Sequence, residues 1–128
     1  METLCDREVL DVYCLELQFV AWMVDFSDHA SRSSPQRRRE LLEQLDRASL
    51  STLLNTAEGN AKRQKRQRAK FFDDARGSAI QCAACLDASV ARRFVSSDRI
   101  SPGKEMLARI VVMLTRLVEH FDTDGIRV

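Results

Sequence analysis

The first long segment of the chain, from about residue 6 to residue 27, is apolar over most of its length. Its polar positions Arg7, Asp11, Gln18 and Asp25 recur at helical spacing and form a narrow stripe. A helix that buries one face would not be apolar over most of its circumference. Because no helix is central in a four-helix bundle, we expect the surplus apolar surface to form a subunit interface. The predicted contact residues are Phe19, Trp22 and Phe26.

Turn residues mark the boundaries of three further helices. Ser34-Pro35 and Ser101-Pro102 each combine an N-cap serine with a proline at the first helical position, which predicts helices that start at 35 and 102. Gly59 predicts the end of the second helix. The interruption at Gly77 in the third helix indicates close approach of another helix, since glycine inside a helix costs about 1 kcal/mol relative to alanine.

Apolar residues at spacings of three and four predict the inward faces of these helices. The second helix is expected to bury Leu41, Leu42, Leu45, Ala48, Leu53 and Ala57. The third is expected to bury Phe72, Ala75, Ala79, Cys82, Leu86 and Val90, and the fourth Leu107, Ile110, Leu114, Leu117 and Phe121.

Four helices of about 6–27, 35–58, 66–94 and 102–122 predict an all-α, antiparallel up-down-up-down four-helix bundle that forms a single domain over residues 1–128. The 128 residues include only four Gly and two Pro, with 45% hydrophobic and 30% charged residues, as a helical chain requires. No run of 18 uncharged apolar residues occurs, and the acidic start METLCDRE lacks an apolar signal region. We therefore expect a cytoplasmic protein with no membrane partner.

Charge is distributed unevenly, although the net charge is only +1. Residues 1–30 carry seven acids and one base, whereas the remaining residues carry 19 bases and 12 acids. The densest group of basic residues is a run without any acid, which we call the basic segment: Lys62, Arg63, Lys65, Arg66, Arg68 and Lys70. Arg37 and Arg38 are expected to add to it. Such a run is typical either of a solvated helix entry or of a surface that contacts phosphates with little sequence preference.

Two polar clusters flank the basic segment. The first, Asn55 and Glu58, lies at the end of the second helix, and the second lies in the third helix and comprises Arg76, Ser78 and Gln81. A hydrogen-bonded polar seam between the two helices would explain both clusters. We expect these residues to be structural rather than ligand-binding.

No residue pattern predicts catalysis, a metal or a cofactor. Glu-x-x-His pairs, a phosphate-binding loop and acid pairs with metal-ligand spacing are all missing from the sequence. Cys82-x-x-Cys85 lies in a helical pattern, and Cys5 and Cys14 do not supply a matching pair for a four-ligand zinc site. We expect reduced thiols and no enzymatic activity.

The polar clusters and the start of the third helix also resemble a family signature. Asn55-x-Ala57-Glu58-Gly59, followed by Arg68-x-x-Phe71-Phe72-x-x-Ala75-x-Gly77-Ser78, resembles the four-helix-bundle proteins of intervening sequences in bacterial 23S ribosomal RNA genes. The stretches VYCLELQFVAWM and LLEQLDRAS fit the same pattern, so the resemblance covers almost the whole chain. One position departs from the family signature: Gln81 occupies a position where that signature commonly has a glutamate.

The resemblance implies a ring-shaped homo-oligomer, typically a pentamer, and kinship with the accessory protein of diversity-generating retroelements, which binds a reverse transcriptase and nucleic acid. Two hypotheses follow. The first is a non-enzymatic oligomeric accessory protein whose basic segment contacts RNA or DNA, with RNA favoured. The second is a protein-interaction scaffold that binds a reverse transcriptase or another protein and for which the basic segment only provides solubility.

Overall fold

The computed structural model describes residues 4–31 and 36–122, which form four helices. They are α1 (Leu4–Ser31), α2 (Gln36–Ala61), α3 (Lys65–Ala91) and α4 (Ser97–Phe121). Helices α1 and α3 each pack against both α2 and α4, so α1 and α3 occupy opposite corners of a bundle. The predicted all-α four-helix bundle is confirmed. None of the described helices is both long and apolar enough to cross a membrane.

The core lies where the four inward faces meet. Helices α3 and α4 bury the stripes that the sequence predicted, except that Val90 of α3 is only half-buried. Helix α3 is anchored by Phe72 and Leu86, and α4 by Ile110 and Leu114, all of which are fully enclosed. Helix α1 contributes a third stripe of buried side chains: Val9, Val12, Leu15, Phe19, Met23 and Phe26. Helix α3 lies closer than α1 to α2 and α4, because its buried face consists largely of small residues whereas that of α1 consists of large ones.

The buried face of α2 differs from the prediction. Of the six apolar residues expected to point inward, Leu45 and Ala48 are buried, whereas Ala57 is exposed. Hydroxyl residues take the remaining inward positions, namely Ser49, Thr52 and Thr56. Each hydroxyl donates a hydrogen bond to a backbone carbonyl of the preceding turn, at 2.7–3.0 Å, which is how a helix accommodates a buried serine or threonine.

The predicted start of the fourth helix is wrong. Helix α4 begins at Ser97 rather than at Pro102, which lies inside the helix. Pro102 removes one backbone hydrogen bond close to the N-terminus of α4. The free energy lost in this way is smaller than the free energy gained by burying Ile100 in the additional turn. Asp98 in the first turn adds a favourable interaction with the helix dipole.

The other helix boundaries differ by a few residues from the prediction. Helices α1 and α2 extend to Ser31 and Ala61, whereas the predicted start signal at Ser34-Pro35 lies outside the described residues. Helix α3 ends at Ala91, three residues early, because Arg93 adopts the left-handed conformation with φ of 63°. Two backbone bonds then close the helix end, from Arg93 N to Val90 O at 2.9 Å and from Phe94 N to Ser89 O at 2.8 Å.

Two glycines, Gly59 and Gly103, allow an aromatic ring to pack closely on a helix, whereas the sequence predicted a close approach at Gly77. Gly59 does not end α2 but lies inside it, where a Cβ would come within 2.8 Å of the Phe72 ring. Gly103 similarly lies under the Trp22 ring, and an added Cβ would overlap it. Gly77 was expected to permit a close approach, but no atom lies within 4 Å of where its Cβ would stand.

These environments predict opposite effects for the same substitution in α3 and α4. Gly77→Ala should raise the free energy of unfolding by up to about 1 kcal/mol, because alanine favours the helix and meets no neighbour. Gly103→Ala should lower it by about 1–3 kcal/mol, because the added methyl group displaces Trp22. Urea unfolding monitored by helical circular dichroism measures both. Equal effects at the two positions would contradict the packing described for Trp22.

Candidate nucleic-acid interface

The basic segment lies at one end of the bundle, in the connection after α2 and the first turns of α3. Arg63, Lys65 and Arg66 are exposed there. Their outward placement follows from the anchoring of α3, whose first buried residues are Ala69 and Phe72. Three adjacent cations therefore stand in solvent at the end of the bundle where α2 and α4 terminate.

Two lysines of the basic segment contact the half-buried Phe71. The Nζ atoms of Lys62 and Lys70 lie 5.2 Å and 4.9 Å from the centre of the Phe71 ring. Lys62 also pairs with Glu58 at 3.4 Å, and Lys70 with Asp74 at 3.0 Å. The charge of each of these lysines is therefore partly compensated by a nearby acid.

Arg68 belongs to the basic segment in sequence but is half-buried in the structure. Its guanidinium lies 4.5 Å from the centre of the Phe121 ring, and Nη2 is 3.5 Å from Asn60 Oδ1. Phe121 ends α4 and Asn60 is the penultimate residue of α2, so Arg68 lies beside the negative dipole ends of two helices. We assign Arg68 a structural role at this end of the bundle.

Arg37 and Arg38, which were expected to add to the basic charge, lie at the other end of the bundle from the basic segment. Both are at the start of α2, a helix roughly 39 Å long, because 26 residues rise about 1.5 Å each. Arg38 Nη1 donates a hydrogen bond to Ala30 O at 3.1 Å, and the guanidinium lies 4.8 Å from the centre of the Phe94 ring. The side chain of Arg37 lies outside the described residues.

A polar seam joins α2 and α3 as predicted, but it consists of Asn55 and Ser78 from the predicted set together with Ser51. Asn55 Nδ2 donates to Ser51 O at 2.9 Å and to Ser51 Oγ at 3.1 Å, and Ser51 Oγ lies 2.8 Å from Ser78 Oγ. Ser51 is thus the residue that joins the two predicted clusters, and it was not among the predicted seam residues. Its position one turn before Asn55 is the sequence signal that could have identified it.

The three other residues assigned to the seam lie elsewhere. Glu58 and Gln81 are exposed, and Glu58 pairs with Lys62. Arg76 points to α4 instead of α2, where its Nη1 donates to Thr115 Oγ1 at 3.3 Å. The helical spacing brings Arg76 and Ser78 onto different sides of α3, because two residues along a helix are about 200° apart.

A buried carboxyl group joins α1 to α2. Glu16 is 1% exposed, and its Oε2 lies 2.7 Å from Thr56 Oγ1. Burial raises the pKa of Glu16 to about 8, and the hydrogen bond with Thr56 offsets only part of this shift. Glu16 was not among the predicted site residues. Two signals in the sequence could have identified it: it lies outside the polar stripe of the first helix, and it precedes the buried Phe19 by three residues.

The predicted subunit contact does not coincide with the exposed surface of α1. Phe19 and Phe26 are buried within the chain, and Trp22 packs against Gly103 and stacks on Phe26 at 5.0 Å between ring centres. The apolar surface that α1 leaves exposed runs along its other side and follows a seven-residue spacing. Helix α2 also leaves Leu50 and Leu54 exposed, and we call the five residues together the α1–α2 face: Leu10, Leu17, Val24, Leu50 and Leu54.

Residues that could hold a metal are not clustered in the described part of the chain, where no group of three or more His, Cys, Asp or Glu side chains occurs. Cys82 is buried and its pKa is raised by burial to about 12, whereas Cys14 is exposed. The thiol of Cys82 is therefore neutral and packs as a small core residue.

The comparisons with known proteins agree with this architecture and with the signature around Asn55 and Phe71. The family described as 23S rRNA-intervening sequence protein matches residues 8–116. The chain belongs to this family. The resemblance stated from the sequence is thereby confirmed.

One solved structure extends the family assignment to the fold. It is a protein of unknown function from the S23 ribosomal protein family of Bacteroides thetaiotaomicron, and it superposes with a TM-score of 0.79. The alignment covers 88% of this chain and 98% of that one at 13% sequence identity, which shows a shared fold alone. No curated protein matches the chain.

The contact between Ser51 and Ser78 gives a test of the seam in this intervening-sequence protein. A double-mutant cycle of Ser51→Ala and Ser78→Ala should yield a coupling free energy of about 0.5–1.5 kcal/mol, the net value of one hydrogen bond. Urea unfolding of the two single variants and the double variant measures it. Gln81→Ala is the matched control on the exposed side of α3 and should change stability by less than about 0.5 kcal/mol. Additive effects of the two serine substitutions would contradict the contact.

Proposed function

We propose that the protein is a non-enzymatic, oligomeric accessory protein of the cytoplasm that binds nucleic acid, with RNA favoured, through the end of the bundle that carries the basic segment. The observation that carries this proposal is the exposed trio of Arg63, Lys65 and Arg66. Three cations on one rigid helix entry can contact successive phosphates, and the affinity would be salt-dependent and nearly independent of sequence. The family description, which refers to ribosomal RNA genes, is compatible with an RNA partner.

Contacts within the bundle and position on the helix entry narrow the surface that we propose for phosphate contact. Lys62 is half-buried beside Phe71 and Glu58, and Arg68 is held between the ends of α2 and α4. Lys70 is exposed but lies further along α3, where it pairs with Asp74. The contact surface we propose is therefore centred on Arg63, Lys65 and Arg66, which are exposed at the start of α3 and in the connection before it.

Substitution of these three cations tests the proposal. Arg63, Lys65 and Arg66, changed together to Gln, should weaken RNA binding and make the slope of log K against log salt shallower by about one unit for each phosphate that is no longer neutralised. Fluorescence anisotropy with labelled RNA, and with DNA of the same sequence, over a series of salt concentrations measures both quantities. Helical circular dichroism should be unchanged, because all three side chains are exposed.

The chain supplies a charge-matched control at its other end. Arg92, Arg93 and Arg99 are also exposed, and changing them to Gln removes the same charge from the connection between α3 and α4 and from the first turn of α4. This variant should retain the affinity and salt slope of the wild type. Equal weakening by both triple variants would show that net charge alone attracts the RNA. Unchanged binding by the first variant would favour the protein-interaction scaffold.

The α1–α2 face supports the oligomeric part of the proposal. Leu10, Leu17 and Val24 are 43–51% exposed, and Leu54 is 60% exposed. A row of large apolar side chains along two adjacent helices is typical of a surface that another protein covers. Since α1 and its surroundings are acidic and the remainder of the chain is basic, a second copy of the chain is a suitable partner. The same face would serve the scaffold hypothesis if its partner were a different protein.

Leu17 lies in the middle of the exposed row on α1 and gives a direct test of assembly. Leu17→Lys should convert an oligomer to a monomer of 14.6 kDa, because it places a charge in the contact. Light scattering at micromolar concentration measures the mass. The control is Gln18→Lys, which introduces the same side chain at the neighbouring exposed position and should leave the mass unchanged. A monomeric wild type would contradict the oligomer.

A further inference from the structure

Glu16 is an acid in an environment that provides no opposite charge. From α2 it meets Thr56, with Thr52 one turn before, and Cys82 of α3 lies beside Thr52. The inward face of α4 is apolar throughout its described length, and Tyr13 lies one turn before Glu16 on α1. Burial and the bond with Thr56 are the influences that act on the carboxyl group, and no basic side chain forms an ion pair with it in the described part of the chain.

The hydrogen bonds around Thr56 indicate the protonation state of Glu16. Thr56 Oγ1 has one hydrogen but two oxygen neighbours, Thr52 O at 3.0 Å and Glu16 Oε2 at 2.7 Å. A threonine hydroxyl within a helix commonly donates to the carbonyl four residues earlier. When it does so here, the short contact with Glu16 needs a hydrogen from the carboxyl group. The neutral acid satisfies both contacts, whereas a carboxylate leaves the hydroxyl with two competing acceptors.

The second carboxyl oxygen leads to the same conclusion. Glu16 Oε1 is buried and makes no hydrogen bond in the described part of the chain. An unpaired carbonyl oxygen of a neutral acid is much less costly to bury than an unpaired carboxylate oxygen. The geometry therefore favours the neutral acid, and burial raises its pKa in the same direction.

A groove gives water a route to this contact. It has a volume of about 700 Å³ between the first half of α1 and the last turns of α2, and Thr56 is one of its lining residues. Asp6 and Tyr13 of α1 and Asn60 of α2 line it as well. Helix α1 packs on α2 and α4 but not on α3, so a movement of α1 away from α2 along the groove leaves the contact between α2 and α3 in place.

We propose that Glu16 and Thr56 form a proton-dependent latch between α1 and α2. The neutral acid donates a hydrogen bond to Thr56 and holds the first half of α1 against α2. Loss of the proton places a carboxylate in an apolar environment, and α1 moves away from α2 at the groove so that water can hydrate the charge. The proposal stands independently of nucleic-acid binding, because it involves neither the seam residues nor the basic segment.

The direction of the pH effect follows from linkage. The folded protein holds the Glu16 proton up to a pH of about 8, whereas the unfolded chain releases it near the ordinary value of 4.5. Between these values the folded state binds more protons than the unfolded state, so stability falls as pH rises. Below the lower value and above the upper one, Glu16 contributes no further dependence on pH.

Glu16→Gln tests the latch because glutamine is uncharged at every pH and can donate a hydrogen bond to Thr56. The ratio of the folding equilibrium constants of this variant and the wild type should grow about tenfold per pH unit between about pH 5.5 and 7.5, then level off near pH 8. Urea unfolding at a series of pH values measures the ratio. The exposed Glu43 of α2 provides the control, since Glu43→Gln should give a ratio that is constant over this range. Parallel curves for Glu16→Gln and the wild type would overturn the proposal.

Two measurements on the wild type keep the test valid if the variant fails to fold. The side-chain carboxyl carbon of Glu16, followed by NMR, should titrate with a midpoint near 8, and a midpoint near 4.5 would overturn the proposal. Amide hydrogen exchange of α1, corrected for intrinsic rates, should accelerate relative to α3 between about pH 6 and 9. A titration near pH 8 without faster exchange in α1 would overturn the opening of the groove.

Discussion

Phe72 fills the core at the end of the bundle that carries the basic segment, and the orientation of α3 depends on the packing of its ring. The ring occupies the space where Gly59 would carry a Cβ, and it lies 5.7 Å from the ring of Phe121. Its enclosure by α2 and α4 fixes the rotation of α3 about its axis. Once that rotation is fixed, Ala75, Ala79 and Leu86 face the core, and Lys65 and Arg66 are turned toward solvent. The exposure of these two cations is thus a consequence of core packing about two turns away.

The same packing explains why the basic segment is heterogeneous. A helix entry that contains six cations cannot bury them, because an unpaired charge costs several kcal/mol in the interior. Arg68 is accommodated by an aromatic ring and by the C-terminal ends of two helices, and Lys62 and Lys70 by Phe71 and nearby acids. Arg63, Lys65 and Arg66 face away from the bundle and are exposed to solvent. A run that is uniform in sequence is therefore divided by the fold into a structural part and a surface part.

Polar groups inside the bundle join α2 to both of its neighbours. Ser51 and Ser78 join α2 to α3 by a contact between neutral hydroxyl groups, which does not depend on pH. Glu16 and Thr56 join α1 to α2 by a contact that needs a proton, in a region that opens to a groove. In the described part of the chain, α1 is also the helix with the longest exposed apolar row. Subunit contact and pH response would thus both concern one helix.

The periodicity of apolar residues was sufficient to predict four helices and their inward faces in α3 and α4, because burial of a regular stripe is a local property of a helix. The family signature likewise lies in the linear sequence, so the family assignment could be made from residues such as Asn55, Phe71 and Phe72. Turn signals were less reliable, since Pro102 and Gly59 each lie inside a helix where packing of Ile100 and Phe72 outweighs local preference.

Only the tertiary structure decided which polar and apolar residues find partners. Ser51 reaches Ser78 from 27 residues away, and Thr56 reaches Glu16 from 40 residues away, so neither contact has a signature within one helix. The same holds for Trp22, whose half-buried ring packs on Gly103 of α4. Sequence periodicity indicates which face of a helix is apolar, but the neighbouring helix determines how much of that face remains exposed.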